Sequence, residues 1–479
     1  MKTHLWITLI RVSSLTSAIC GVVACAQPRL TMEFTERQLT GAPQGHTIHH
    51  TQVFSPDGQW VVYDTRNDDT EIGSTGRIEM VNVATGEVRL LYAVPNPTAY
   101  GPGVGAATFS PVEDRVIFIH GIRNADESRP YSISRRTAVA IDLARPGYPI
   151  FMDARVIRPP FMPGALRGGT HAHSWSGDGN WISFTYNDWV MEELARKDST
   201  MRDLRTVGVM VPGRVSVPPD ETLENHGGER FSVVVARVTE RPVPGSDEID
   251  RAFDECWIGT NGYVKPSGRR QRRAIAFQGD VRTVSGDVLT EVFVVDLPDD
   301  LRRAAPGESL AGTERARPDV PAGLTQRRLT YTKMGVRGPR HWLRSTPDGS
   351  LVLYLSEDTL GIIQVYAVPV NGGNPKQITR NATDVQGQFN MHPDGDQIIY
   401  VADNAIHITR IDDGTTHAVA PRIEAGTEPV GAPHWSPHGD KIIYSRYVRG
   451  DEGRFLQLFV LEAAGGSPFR LTSYKTPPI

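Results

Sequence analysis

The sequence predicts an all-β fold, a closed ring of four-stranded sheets in which each sheet is a copy of one repeat. Three observations carry this. A turn of the form aromatic-Ser-Pro-Asp-Gly recurs along the 479 residues. Every copy leads into an apolar run that ends in an aromatic residue. The 46 Gly and 35 Pro are spread along the chain, as many short strands joined by many turns require.

The first 26 residues stand apart from this pattern. Lys2 and Arg11 are their firm charges, and Val12 to Ala24 is apolar or small, which resembles a signal peptide. Two cleavage readings stay open. Val22-Val23-Ala24-Cys25 fits a lipoprotein signal in which Cys25 becomes a lipid anchor, and Ala24-Cys25-Ala26 fits ordinary cleavage after Ala26. A short uncleaved membrane anchor is the third option. The expected location is the periplasm, either free or as an outer-membrane lipoprotein. No later segment has the 18 or so apolar residues that a spanning helix needs.

The repeat then runs from residue 33 to the end. Phe54-Ser-Pro-Asp-Gly58 is followed by Gln59 to Tyr63, and copies start at Phe109, Trp175, Ser345, Met391 and Trp435. In this turn Asp caps its own backbone and Gly takes the positive φ that joins two strands tightly; the second copy departs from it at Val112-Glu113 and the third has Gly177 in place of Pro. The apolar run that follows suits a middle strand buried on both faces. Third strands follow at Arg77 to Val83, Thr137 to Leu143, Val365 to Val370 and Leu456 to Leu461. A terminal Leu/Ile-Thr marks the fourth strand at Arg37 to Thr40, Arg327 to Thr330, Lys376 to Thr379 and Phe469 to Thr472. One of these precedes the first turn, so the amino-terminal strand is expected to complete the last sheet and close the ring, removing exposed edges. Such a ring is a β-propeller. Six blades are clear, and Arg273 to Phe277 with Glu291 to Asp296 suggests another, so seven are favoured over six.

The interval 188–342 is too long for one blade and is expected to carry insertions. Trp189 to Arg196 reads as a short helix and Pro218 to Arg230 as a loop. Asp247 to Cys256 reads as an acidic helical turn, and Arg303 to Pro321 as a flexible excursion. Arg269 to Arg273 forms a local basic patch, read as a solvated loop.

The aromatic-Ser-Pro-Asp-Gly turn, the aromatic-ended second strand and the terminal Leu-Thr resemble the TolB-type propeller repeat over nearly all of the chain after residue 33. That resemblance implies a binding or scaffold module of the cell envelope that holds a protein or a glycan on one face of the ring. The helical amino-terminal domain of TolB itself has no counterpart here, which puts a role in the Tol-Pal complex in doubt. A monomer is expected.

Candidate chemistry emerges when the copies are aligned on the turn Pro. The column six residues earlier holds His50, His171 and His341, with Gly105, Gly387 and Gly431 in the other copies. In a propeller this strand is the innermost, so the three imidazoles are expected to face one another across the channel. His173 lies two residues after His171, on the same face of a regular strand. Such a set suits Mn, Zn, Fe or Ni. The plain alternative is a polar, water-filled channel whose imidazoles bond to backbone and water. His49 and His434 have the wrong strand parity and rank below these. The arrangement resembles, more remotely, the oligogalacturonate lyases. That implies a divalent metal on channel histidines and a glutamine, with β-elimination of acidic sugar polymers; the glutamine has no placed counterpart here. Arg340 and Arg344, with Arg337, flank His341 and are candidates to grip carboxylates in bidentate fashion.

Composition closes several other routes. The 51 Lys and Arg balance 55 Asp and Glu for a net charge of -4, which supplies no field for nucleic acid. No Gly-x-Ser-x-Gly elbow follows the repeats, which excludes a peptidase of the prolyl-oligopeptidase type. Of three Cys, Cys20 and Cys25 belong to the leader, and Cys256, beside Asp254 and Glu255, reads as structural. Asp247, Asp250 and Asp254 on one helical face would suit a hard cation, although an exposed acidic turn explains them as well. Two functions remain: an envelope binding module, or a metal-dependent lyase or hydrolase acting on an acidic saccharide.

Overall fold

The computed structural model describes residues 34–463 except 69, 219, 420–425 and 428. The leader with Cys25 and the Leu-Thr copy at 469–472 lie outside the described residues.

Seven sheets follow one another around the ring, as the repeat predicts. Blade 1 pairs Trp60–Asp64, Arg77–Asn82 and Val88–Ala93, and its inner strand is represented by bridges from Thr47 to Asp64 and from Phe54 to Val61. Blade 2 comprises Val104–Phe109, Arg115–Gly121, Arg136–Asp142 and Ile150–Phe151. Blade 3 comprises Gly169–Trp175, Ile182–Asn187, Thr206–Val215 and Gly228–Val234. Blade 4 comprises Ile249–Trp257, Ala274–Arg282, Val288–Asp296 and Thr325–Arg328. Blades 5 and 6 begin at Arg344–Ser345 and Asn390–Met391. Blade 7 pairs Pro429–Trp435, Lys441–Gly450 and Gly453–Ala463, and its outer strand is Phe34–Gln38 from the other end of the chain. That strand closes the ring by hydrogen bonding.

The repeated residues explain why each blade forms. In three turns a hydroxyl two residues before Asp donates to the Asp carboxylate and accepts the backbone N–H at the start of the next strand. Ser55 with Asp57, Ser176 with Asp178, and Thr346 with Asp348 all do this. Gly58 takes φ 68°, which a side chain would strain. The aromatic that ends each second strand lies between neighbouring blades. Tyr63, Phe118, Phe184, Phe277, Tyr354, Tyr400 and Tyr444 are each at most 1% exposed, and burying such a ring stabilises by about 2 kcal/mol. The terminal Thr fastens the outer strand. Thr40, Thr330 and Thr379 each accept a backbone N–H of the third strand and donate to Gln457, Glu291 and Gln364 respectively.

The insertions differ in part from expectation. Trp189–Ala195 is a helix, with Asp188 accepting the N–H of Met191 at its start. Asp247 to Cys256 is not a helical turn, because Ile249–Trp257 is the inner strand of blade 4. Pairing with Ala274–Arg282 outweighs local propensity there. Asp250 and Asp254 consequently share no helix face; each pairs with arginine, Asp250 with Arg282 and Asp254 with Arg340. The excursion 303–321 is tied down rather than free, with Leu310, Ala311 and Val320 buried and Thr313 accepting a bond from Arg167. Within the basic patch, Arg270–Gln271 forms a short strand, and Arg273 pairs with Asp178 over the Trp181 ring.

Candidate functional site at the channel mouth

Inner strands supply the site, and they share a distortion. Gln52, Ala106, Ala172 and Asp254 have φ of 51°, 57°, 58° and 48°, and Gly431 has 71°. In blades 2, 3, 4 and 7 the ladder shifts register at these residues. Each is a bulge just before the aromatic of the turn, and a bulge breaks the two-residue alternation of a strand. His171 and His173 therefore do not inherit a shared face, because Ala172 between them is the bulged residue.

The candidate imidazoles are all buried, but they do different things. His341 accepts the N–H of Leu355 at Nε2, and its Nδ1 meets the carbonyl of Pro339. Both nitrogens are thus engaged with backbone. His50 stacks on Trp342 with ring centroids 4.0 Å apart, and its carbonyl accepts from Arg344. His173 bonds Thr170 through Nε2, and among the described residues its Nδ1 and the Nδ1 of His171 have no partner. His49 and His434, ranked lower from the sequence, belong to the same cluster. His49 sits edge-on to His50 at 4.3 Å, His434 bonds Asn390, and Nε2 of each lacks a partner.

No metal centre is assembled by these groups. Among the described residues, no three His, Cys, Asp or Glu side chains are placed to hold a metal ion. His341 would have to give up a backbone bond to ligate. Of the glutamines at this level, Gln52 and Gln388 are spent on clips to the backbone of Trp175 and Trp342, and Gln278 donates to the carbonyl of His341. The donor set as it stands does not fit a divalent ion.

Arginine dominates the surroundings instead. Arg344 is buried and bonds Asn390 and the carbonyls of Leu343 and His50. Arg136 reaches only the Tyr131 hydroxyl, at 3.1 Å, and Arg205 the Asn187 amide oxygen, at 3.1 Å. Among the described residues none of these three has a carboxylate partner. Arg340 pairs with Asp254 at 3.1 Å and lies over Trp342 at 4.4 Å, so an exposed guanidinium, an indole and the His50 ring are layered in sequence. Arg205, Arg251, Arg340 and His341 line a cavity of about 320 Å³. A second hollow of about 400 Å³ shares Arg205 and Arg251 with it.

The electrostatics follow from this crowding. Burial, and then the charges of Arg136, Arg205 and Arg340, hold His171 well below the usual imidazole range. Burial likewise depresses His173 to about 3, and burial with Arg344 depresses His434 to about 3. Arg205 itself is lowered to about 10, first by burial and then by Arg251, Arg136 and Arg340. Neutral imidazoles thus sit among guanidiniums that repel one another, an arrangement suited to an anion. Cys256 lies in the inner strand of blade 4, where burial pushes the thiol up to about 12, consistent with a structural role.

Arg340, Arg344, His50, His171, His173 and His341, the candidates read from the sequence, lie around this mouth, with His341 engaged by backbone at both ring nitrogens. Arg136 and Arg205, on or beside third strands, lie here without a sequence signal, and His49 and His434, ranked lower from strand parity, are here as well.

Comparison with known proteins gives three results. The model of a family described as a protein of unknown function (DUF3748) matches residues 103–226. The uncharacterized protein YidR of Escherichia coli (strain K12) is 38% identical over 429 residues, covering 88% of this chain and 95% of that protein. Among solved structures, an oligogalacturonate lyase in complex with manganese superposes with a TM-score of 0.51 at 12% identity, covering 91% of this chain and 97% of its own. The structure of a putative TolB from Agrobacterium tumefaciens gives 0.37 at 14% identity, over 81% and 98%. The lyase likeness, at that identity, is one of fold alone.

Proposed function

The chain belongs to the family of the Escherichia coli protein YidR, and from that premise we propose that it is a binding module of the cell envelope that takes a carboxylate-bearing glycan at the mouth of its channel. The observation that carries this reading is the pair of arginines, Arg136 and Arg205, that have no carboxylate partner among the described residues and lie beside neutral imidazoles and the Arg340–Trp342 layer. Guanidinium forks match carboxylates in two-point geometry, and an indole face suits the apolar side of a sugar ring. A bound anion would also relieve the mutual repulsion of the arginines, so binding and the local electrostatics favour each other. The apolar, leader-like stretch that ends near Cys25 is what supports placement in the periplasm.

Isothermal titration of the purified chain with oligogalacturonate and with a neutral oligosaccharide of equal length tests this. Binding of the acidic ligand only, weakened by salt and lost in Arg136→Gln, is the expected result. Equal binding of both, or of neither, defeats the reading. Metal analysis of the same sample separates the runner-up. Stoichiometric Mn, Zn, Fe or Ni, lost in a His171→Ala, His49→Ala double variant, would replace the binding module with a metal-dependent lyase or hydrolase acting on the same class of saccharide.

A further inference from the structure

The basic run Arg269 to Arg273 takes no part in the channel mouth. It supplies one arm of a hairpin, Tyr263–Val264 against Arg270–Gln271, inserted where the other blades have only a tight turn between their first and second strands. The hairpin thus stands on the turn side of the ring, at the far ends of the inner strands from the mouth. It is held there, because Asn371 donates to the carbonyl of Val264 at 2.8 Å and Lys265 pairs with Asp296 at 2.9 Å. Against it, between blades 3 and 4, lies a hollow of about 250 Å³ that shares no lining residue with the cavity at the mouth. Its walls are the turn at Gly177, the loop that follows Trp257, and Arg270, Arg272 and Arg273. Gly177 stands where the other copies of the turn have Pro. A Cβ there would lie 2.5 Å from the Thr260 carbonyl oxygen, so this departure from the repeat makes room for the loop.

The charges of the lining do not balance. Asp178 is its carboxylate, and Arg273 already pairs with it while lying over the Trp181 ring at 4.5 Å. The buried Nε of Arg273 has no acceptor among the described residues. Arg270 reaches only the carbonyl of Asn261, at 3.3 Å. Arg272, two residues along and so on the same face, has no partner among the described residues. Two further acids stand nearby, outside the lining, and both are engaged. Asp296 is held by Lys265 and the Tyr263 hydroxyl, and Asp348 of the next turn accepts from Thr346 and Ser350. The hollow therefore keeps two guanidiniums that no carboxylate compensates. Thr260 and Asn261 line it as well, with a hydroxyl and an amide that have no partner among the described residues.

We propose that this hollow is a second binding site, for a phosphate monoester group held by Arg270 and Arg272. Two guanidiniums match the charge of a dianion and present forks to its tetrahedral oxygens, whereas a lone carboxylate would leave one of them uncompensated. Thr260 and Asn261 supply neutral donors beside them. The volume falls below the roughly 300–1,000 Å³ of sites that enclose a whole small molecule, so the phosphate sits within and its carrier stays outside. This site is independent of glycan capture at the mouth.

Titration calorimetry of the full chain with inorganic phosphate and with glucose 1-phosphate tests the proposal, with acetate and glucose as the other arms. Both phosphates are expected to bind one to one, and acetate and glucose at least about tenfold more weakly. Binding should strengthen as pH rises through about 6, where the monoester takes its second charge. Arg270→Gln and Arg272→Gln, both at exposed positions, are each expected to weaken glucose 1-phosphate about tenfold, the worth of one charge-assisted contact. Arg269→Gln, outside the lining, is expected to leave it unchanged. Sedimentation with phosphatidylcholine vesicles, with and without phosphatidate, distinguishes the carrier. Retention on phosphatidate that is lost in Arg270→Gln assigns a lipid headgroup, and no retention assigns a soluble ester. Absence of saturable binding by every phosphate overturns the site. Equal binding of acetate overturns the dianion, and a loss in Arg269→Gln as large as in the other two reduces the site to a diffuse basic surface and overturns it.

Discussion

Replacing Arg205 with glutamine should make the fold more stable while weakening capture of an acidic ligand. Arg205 is mostly buried, its one hydrogen bond goes to Asn187 at 3.1 Å, and Arg251, Arg136 and Arg340 all press on it. Burial and this repulsion lower it from 12.5 to about 10. At about 1.4 kcal/mol per unit, holding the charge there costs about 3 kcal/mol. Because both the folded and the unfolded chain keep Arg205 charged at pH 7, the whole of that disadvantage is present at neutral pH and would fade only as pH rises through about 10. Water reaches part of the guanidinium, which reduces the figure to about half. Losing the bond to Asn187 takes back about 0.5–1 kcal/mol. The variant should therefore gain about 1 kcal/mol, a rise in urea midpoint of a few tenths molar by circular dichroism. In the same protein, affinity for oligogalacturonate should fall by about tenfold or more, the worth of one charge-assisted contact. A variant that is clearly destabilised, or that binds as tightly as the parent, would refute the view that these arginines are held in repulsion for a ligand.

Other substitutions probe neighbouring features. Glu224 lies buried between Arg135 and Arg155, so Glu224→Gln should lower stability by about 3 kcal/mol in urea unfolding, the usual loss on breaking a buried pair. Arg135 and Arg155 also hold the Glu224 carboxyl below its ordinary range despite burial; its contribution is complete above the unfolded value and should be lost as pH falls through the folded one, in midpoints measured from pH 6 down to 3. His341→Ala should cost about 2 kcal/mol by removing the acceptor for Leu355, with metal content unchanged; a loss of bound metal with unchanged stability would contradict this placement. Thr379→Val should cost about 1–2 kcal/mol, because Val365 loses its acceptor and Gln364 its donor, as read from the melting curve.

Much of the fold was legible because the repeat is chemical as well as numerical. In the turns at Ser55, Ser176 and Thr346 the hydroxyl and Asp make the same bonds, and Thr40, Thr330 and Thr379 close their outer strands alike, so reading one of these copies reads the others. Ring closure was legible for the same reason, since Leu39-Thr40 precedes any blade that it could end. Blade 4 was the hardest. Its inner strand carries Asp250, Asp254 and Glu255, and nothing local announces that Arg282, on the neighbouring strand, and Arg340, in the segment before blade 5, will neutralise two of them. Long-range pairing chose the strand there, and a local reading had no access to it.

The site was less legible, and the cause is geometric. Ranking His50, His171 and His173 above His49 and His434 assumed that inner strands alternate strictly. Gln52, Ala172 and Gly431 break that alternation with positive φ beside these same histidines. No residue type marks the bulges, because a glutamine, two alanines, an aspartate and a glycine occupy them in different blades. The bulge re-aims side chains next to the channel, so it decides which imidazoles keep a free nitrogen and which, like His341, are spent on backbone. In a propeller of this kind, then, periodicity along the sequence locates the ring, while the composition of the channel is set where the periodicity fails. The arginines that converge there come from third strands and loops as well as from inner strands, so a search for anion sites in related chains should examine unpaired arginines at every strand end facing one mouth.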